Sequence, residues 1–262
     1  MFSHPYKNIP RSIQDILDNI ILPKDYYHNT HKRRMARTLD VLLQEPLEGK
    51  ILELGTSKVI PLSLKTLVPQ LEVHVTDFDL EQPETGVMDM SLGSESGSFP
   101  VYRVDLETQF LPVEDESFDF VLCCEVIEHM EVDPMFMMSE INRVLKPNGV
   151  LILTTPNITS SRAIWKILRG MEPHFYMQYR HKPSLYRHNY EYSMLSMVSV
   201  LKAAGFSGKV WTEDSFEDPE LEDVLKLREM GYALSSVGDN IFAVVRKVSP
   251  VVDRHPSVIY AD

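Results

Sequence analysis

Glu53, Asp77, Asp79, Asp105, Glu125 and Glu128 fall at or just beyond the ends of short apolar runs, and His129 follows directly on the last. Carboxylate oxygens only accept hydrogen bonds, so this set suits a ligand rich in hydroxyl and cationic groups. Glu53 stands two residues before Gly55 in the stretch Lys50-Ile51-Leu52-Glu53-Leu54-Gly55-Thr56-Ser57-Lys58. A glycine there lets the backbone turn sharply and approach a ligand, yet the G-x-G-x-x-G dinucleotide fingerprint is missing. A carboxylate beside that turn repels pyrophosphate and favours a cationic or hydroxyl-bearing ligand. A purely local role for Glu53, capping the next helix, stays open. Asp79 lies 26 residues beyond Glu53, near the spacing at which parallel α/β sheets put an acidic side chain on ribose hydroxyls. Asp77 is the rival, because strand ends are placed only to within a residue or two. Asp105 can accept from an exocyclic amine while the Leu106 N–H donates to a ring nitrogen, a common way of reading adenine.

These groups need a sheet to hold them. Phe118 to Cys124 is an apolar run without alternation, as expected of a strand buried on both faces. Asp133-Pro134 starts a helix, Met137, Ile141, Val144 and Leu145 give it an apolar face, and Pro147-Asn148-Gly149 ends it. Val150 to Leu153 is a second buried strand. Together they make a parallel βαβ unit with ligands expected outside the carboxyl ends of its strands, where Glu125, Glu128, His129, Pro156 and Asn157 lie. Lys50 to Leu54, Glu72 to Phe78 and Val101 to Val104 read as further strands. Leu80 to Pro100 shows no helical period and reads as a long loop.

Ser12 is expected to cap an N-terminal helix with Ile13, Ile16, Leu17, Ile20 and Ile21 inward, and a second helix carries Met35, Leu39, Leu42 and Leu43. The basic cluster His31-Lys32-Arg33-Arg34 reads most simply as a solvated helix face, with a phosphate contact as the alternative. Residues 158–192 are rich in aromatic, histidine and basic residues and read as a substrate lid, with Tyr176, Tyr192 and Asn157 as substrate contacts; an excursion whose aromatics supply their own small core is the alternative. His174, His181 and His188 do not show a trusted metal spacing, so no metal is expected. A helix from Ser193 to Gly205, a short strand at Lys209-Val210-Trp211, a helix opened by Asp218-Pro219 and a last strand from Ile241 to Val245 follow. Residues 248–262 read as a flexible tail.

The net charge of −12 disfavours a general nucleic-acid or anionic-membrane surface. Apolar runs are too short to span a bilayer and no signal-peptide core stands at the start, so a cytoplasmic protein is expected. Adjacent Cys123 and Cys124 would face opposite sides of a strand, which suits buried thiols and not a disulfide.

Glu53-Leu54-Gly55, the acidic end of the second strand, Asp105, LPVEDESFDFVLCCEVIEH and VLKPNGVLILTTPN together resemble the class I S-adenosylmethionine-dependent methyltransferases, in the type 11 or ubiquinone/menaquinone-biosynthesis-like branch. The likeness is strong over 48–157 and weaker over 188–206, where RHNYEYSMLSMVSVLKAAGF is similar to bacterial sugar and natural-product methyltransferases. It implies an α/β, Rossmann-like, doubly wound and mostly parallel seven-stranded sheet, with N-terminal helices and a lid insertion after the fifth strand. It also implies one domain over 1–247: a helical cap at 1–49, a cofactor core at 50–157, the lid at 158–192 and the rest of the sheet at 193–247.

The implied cofactor is S-adenosyl-L-methionine. By resemblance Glu53 lies near the methionine amino group, Gly55, Thr56 and Ser57 under the cofactor, Asp79 on the ribose, Asp105 with Leu106 on adenine, and Glu125 beside the methionine moiety. The family loop carries two further glycines where this chain has Ser57 and Val59. A β-branched Val59 resists positive φ and would weaken cofactor binding if the loop required it there.

Methyl transfer to a hydroxyl calls for a base, and His129 and His188 are the candidates. The expected reaction is O-methylation of a small-molecule hydroxyl on a sugar or natural product. The alternatives are N-methylation of an amine, or a catalytically inactive binding subunit of the same fold. A small-molecule substrate is expected, with no nucleic acid and no membrane insertion, and a homodimer is compatible with the chain.

Overall fold

The computed structural model describes residues 9–173, 187–215 and 220–261. A single mixed sheet organises them, with strands β1 (Lys50–Leu54), β2 (Glu72–Asp77), β3 (Thr85–Leu92), β4 (Glu95–Arg103), β5 (Phe118–Cys124), β6 (Leu145–Pro156), β7 (Phe206–Glu213) and β8 (Asn240–Lys247). Their order across the sheet is β3-β4-β2-β1-β5-β6-β8-β7. Strands β4, β2, β1, β5 and β6 run parallel, while β3, β8 and β7 pair antiparallel with their neighbours. The strand order reverses between β1 and β5, so the crevice for a ligand opens beyond Leu54 and Cys124.

Among the described residues eight strands stand where seven were expected, and the additional one is β3. The stretch read as a loop from Leu80 to Pro100 is an antiparallel hairpin, paired from Thr85↔Tyr102 to Leu92↔Glu95. Met88, Met90 and Leu92 alternate toward the core while Asp89 and Ser91 point away, a period of two. Gly93 turns the hairpin with φ +60, and a Cβ there would stand 2.2 Å from the Asn19 carbonyl oxygen. The tip is thereby seated on the end of the first helix, where the Ser94 N–H donates to Asn19.

Helices α1 (Arg11–Ile20), α2 (Tyr26–Leu42) and α3 (Val59–Leu67) cover one face of the sheet, and α4 (Pro134–Val144) and α6 (Met194–Ala203) the other. Ile51, Phe120, Leu122, Val150 and Ile152 pack on the first face. Leu52, Leu54, Val121, Cys123, Leu151 and Leu153 pack on the second. Cys124 turns to the first face, so the two thiols diverge as expected; burial and the nearby Glu53 push the Cys124 thiol up to about 12. Short helices α5 (Ser161–Leu168) and α7 (Leu221–Glu229) share a small satellite core of Ile164, Leu227 and Val237.

Ser12 does not cap α1: the cap position is Pro10, with no side-chain cap bond. Helix α2 begins at Tyr26, read from sequence as linker, because Asp25 accepts from the His28 N–H. Asp133 does cap α4, accepting from Phe136. It also pairs with Arg254 and accepts from the Tyr260 hydroxyl, while Val251, Ile259 and Tyr260 pack on the core. The segment from 248, expected to be loose, is therefore laid against α4. The expected opening of α7 at Asp218-Pro219 lies outside the described residues.

Candidate active site

At the end of β1, Glu53 is 3% exposed and burial pushes its carboxyl up to about 7. The Ser57 hydroxyl donates to it at 2.8 Å and the Ser57 N–H at 3.3 Å. The cap position of α3 is Lys58, which makes no side-chain cap bond, and the Ile60 N–H in the first turn donates to Ser57 Oγ rather than to Glu53. Gly55 takes φ +62, and its N–H donates to Thr76 on β2 at 2.9 Å. The second left-handed residue of the turn is Lys58, at φ 60. Val59 is the fully buried first residue of α3 and is not among the positive-φ residues. The strain expected at Val59 does not arise, because the loop places it on Lys58.

Asp77 ends β2 and accepts from the Phe78 N–H, while exposed Asp79 accepts from Glu81. Asp105 follows β4 and takes the Glu107 N–H at 2.9 Å and the Thr108 hydroxyl at 2.8 Å; its own N–H donates to Gln109. Its carboxylate thus closes its own loop, and adenine would have to use the remaining lone pairs. Leu106 leans on the core beside it.

Glu125 leaves β5 with φ 57. One of its oxygens accepts from Thr154 at 2.9 Å and Asn240 at 3.0 Å, the other from Arg34 at 2.8 Å. Arg34 was expected on a solvated face. Instead its side chain is 7% exposed, because it stands beside Met35 and one turn before Thr38 on the buried side of α2.

Three residues on, Glu128 lies in a short 3-10 turn and is fully buried. One oxygen accepts from Thr155 at 3.0 Å; the other, Oε1, has no hydrogen-bond partner among the described residues and sits 3.9 Å from His129 Nε2. Burial, and next the charge of Glu125, push its carboxyl well above the usual range. His129 Nδ1 lies 2.9 Å from the Arg187 carbonyl oxygen. Burial pulls this imidazole below its usual pKa, with His188 adding to the effect. The two rings meet edge to face at 5.0 Å, and His188 Nδ1 lies 2.7 Å from the buried Glu191 carboxylate. The segment is held by its backbone: Asn189 and Tyr190 N–H groups both donate to the Glu128 carbonyl. Thus His129 and His188, expected as base candidates, come together.

The expected substrate contacts fare differently. Tyr192 is 1% exposed and packed in the core, bridged to Asn157. Asn157 is fully buried; its amide donates to Ser236 and Gly238 and its carbonyl accepts from Thr159. Both are buried and anchor the loops after β6. Tyr176 lies outside the described residues, as do His174 and His181.

Residues 53–153 match the methyltransferase domain family. This is the span that holds Glu53, the turn at Gly55, Asp79, Asp105 and Glu125. Over this span the chain is similar to S-adenosylmethionine-dependent methyltransferase domains of the type 11 branch. A ubiquinone biosynthesis O-methyltransferase of Xylella fastidiosa is 31% identical over 115 residues, 44% of this chain and 45% of that protein. One from Xanthomonas oryzae pv. oryzae is 35% identical over 96 residues, 37% of this chain and 39% of that protein. The chain therefore spans less than half the length of these curated relatives. In fold, the structure is similar to an S-adenosylmethionine-dependent methyltransferase of Thermotoga maritima, with TM-score 0.53 at 19% identity over 84% of this chain and 93% of that one. One from Archaeoglobus fulgidus gives 0.53 at 16% identity, over 85% of this chain and 100% of that one. Among the described residues no helix is long and apolar enough to cross a membrane.

Residues that sequence reasoning missed also make contacts around Glu125, His129 and His188. Arg34 carried a weak signal, its place one turn before Thr38. Glu128 was visible at a strand end but given no task. Glu191 stands three residues after His188, a spacing that lets a carboxylate meet an imidazole. Asn240, at the start of β8, carried no signal.

Proposed function

We propose that this chain transfers the methyl group of S-adenosylmethionine to a hydroxyl of a small molecule, in particular a sugar or natural-product hydroxyl. The observation that supports it most is the pairing of His129 with His188 beside Glu125. In both rings Nδ1 is engaged, by the Arg187 carbonyl or the Glu191 carboxylate, which leaves Nε2 as the nitrogen that takes up a proton. His129, held neutral by burial, takes the hydroxyl proton; the oxygen attacks the methyl carbon; and the carbon–sulfur bond breaks with its electron pair staying on sulfur. In this reading Glu53 holds the methionine ammonium, Gly55, Thr56 and Ser57 line its path, Asp79 takes the ribose, and Asp105 with Leu106 meets adenine. Glu125, fixed by Arg34, Thr154 and Asn240, borders the methionine end. Hydroxyl acceptors are favoured over amines because the pair supplies a base, which an amine need not have, and because the curated relatives are named O-methyltransferases. The inactive-subunit reading rested on Val59, which the turn does not strain. The test is transfer of a labelled methyl group to matched acceptors carrying either a hydroxyl or an amine. Label on hydroxyl acceptors, lost in His129→Ala, supports the reading; label on amines alone overturns it.

A further inference from the structure

We propose that Glu128, His129 and His188 form a binding site for a first-row divalent cation that tolerates nitrogen donors, such as Zn2+ or Mn2+. Each residue offers one ligand atom, and the three atoms lie within 4.8 Å of one another. The imidazoles are oriented as metal ligands usually are, with the far nitrogen of each held by an acceptor. For His129 that acceptor is the Arg187 carbonyl at 2.9 Å, and for His188 the Glu191 carboxylate at 2.7 Å. Glu128 supplies the second, independent sign. Its side chain is fully buried, and Oε1 lacks a hydrogen-bond partner among the described residues while facing His129 Nε2 at 3.9 Å. A buried carboxylate oxygen left unpaired is costly, and a cation between the two side chains supplies its partner.

Two imidazoles and one carboxylate form a set suited to Zn2+, Mn2+ or Fe2+, and poorly suited to Mg2+, which prefers oxygen ligands. Around an ion with bonds of about 2.1 Å, neighbouring donors stand roughly 3–3.5 Å apart, so loading draws these side chains in by about 1 Å. Three protein ligands leave coordination positions open, as in catalytic rather than structural sites. On the proposed methyltransferase reading, an acceptor hydroxyl that meets the loaded site gives its proton to water, because the ion lowers its pKa. The oxygen then takes the methyl group while the sulfonium keeps the C–S electron pair. In the metal-free protein His129 itself is the base.

The test is calorimetric titration of the chelator-treated full chain with Zn2+, and separately with Mn2+ followed by electron paramagnetic resonance. One ion per chain is expected, with affinity at least tenfold weaker in Glu128→Gln and in His188→Gln. Circular dichroism and S-adenosylhomocysteine binding, read on the same samples, report whether each variant is folded. Absence of stoichiometric binding to a folded wild type overturns the proposal, as does equal affinity in both folded variants. Metal binding without S-adenosylhomocysteine binding would instead overturn the methyltransferase reading and leave the cation site standing.

Discussion

Arg34 on α2 donates to Glu125 at the tip of β5 across 2.8 Å, and both side chains are largely shielded from water. This pair joins the helical cap to the strand that carries the methionine end of the proposed cofactor site. Removing one partner of a buried ion pair leaves the other uncompensated, at a cost of about 3–5 kcal/mol. Thr154 and Asn240 still reach Glu125, which moderates the loss. Arg34→Ala is expected to cost about 2–4 kcal/mol in urea denaturation. The double variant Arg34→Met with Glu125→Gln should lose less than the sum of the single ones. Additive losses would show that the pair is not coupled.

Glu53 sets a pH dependence. Its folded pKa, about 7, lies above the value of 4.5 for a free side chain. Stability from this group is therefore full below the unfolded value and is lost as pH rises toward and through 7. The difference corresponds to about 3 kcal/mol at most, as an order of magnitude. Glu53→Gln should remove that slope in the cofactor-free protein, so the two unfolding curves diverge between pH 5 and pH 8. Parallel curves would contradict the assignment. A cationic ammonium beside Glu53 draws off its proton, so S-adenosylhomocysteine should bind more tightly as pH rises through this range, with proton release measurable in buffers of different ionisation enthalpy.

The turn after β1 offers a test in both directions. Gly55→Ala must place a Cβ 3.1 Å from Val126 at φ +62 and is expected to cost about 1–2 kcal/mol. Lys58 already holds φ 60, so Lys58→Gly is expected to be neutral or to stabilise by up to about 1 kcal/mol, read as a rise in Tm. A clear loss from Lys58→Gly would mean that its side chain, not its backbone, matters there.

Asn157→Ala leaves the Ser236 and Gly238 carbonyls and the Thr159 N–H without their partner and should cost about 2–3 kcal/mol. Its effect on transfer should follow stability, with the acceptor KM unchanged; a raised KM in a folded variant would return Asn157 to the substrate side.

The central βαβ unit was legible because buried parallel strands and a Pro-started helix write their pattern locally: Phe118 to Cys124, Asp133-Pro134 and Val150 to Leu153 all appear in place. The hairpin of β3 and β4 was missed because its one buried stripe, Met88, Met90 and Leu92, is interleaved with glycine, serine and acid and reads as turn chemistry. The carboxylates at strand ends were legible for the same local reason. The Arg34–Glu125 contact and the meeting of His129 with His188 were not, since each joins residues far apart in sequence that only the fold brings together.

Cofactor binding tests the central claim most directly: titration of the full chain with S-adenosylhomocysteine, with NADH as control and Asp79→Ala alongside. Micromolar binding of S-adenosylhomocysteine alone, lost in Asp79→Ala, is the expected result; affinity retained in that variant would move the ribose contact to Asp77. No binding of S-adenosylhomocysteine, or equal binding of NADH, would contradict the methyltransferase function proposed for this chain.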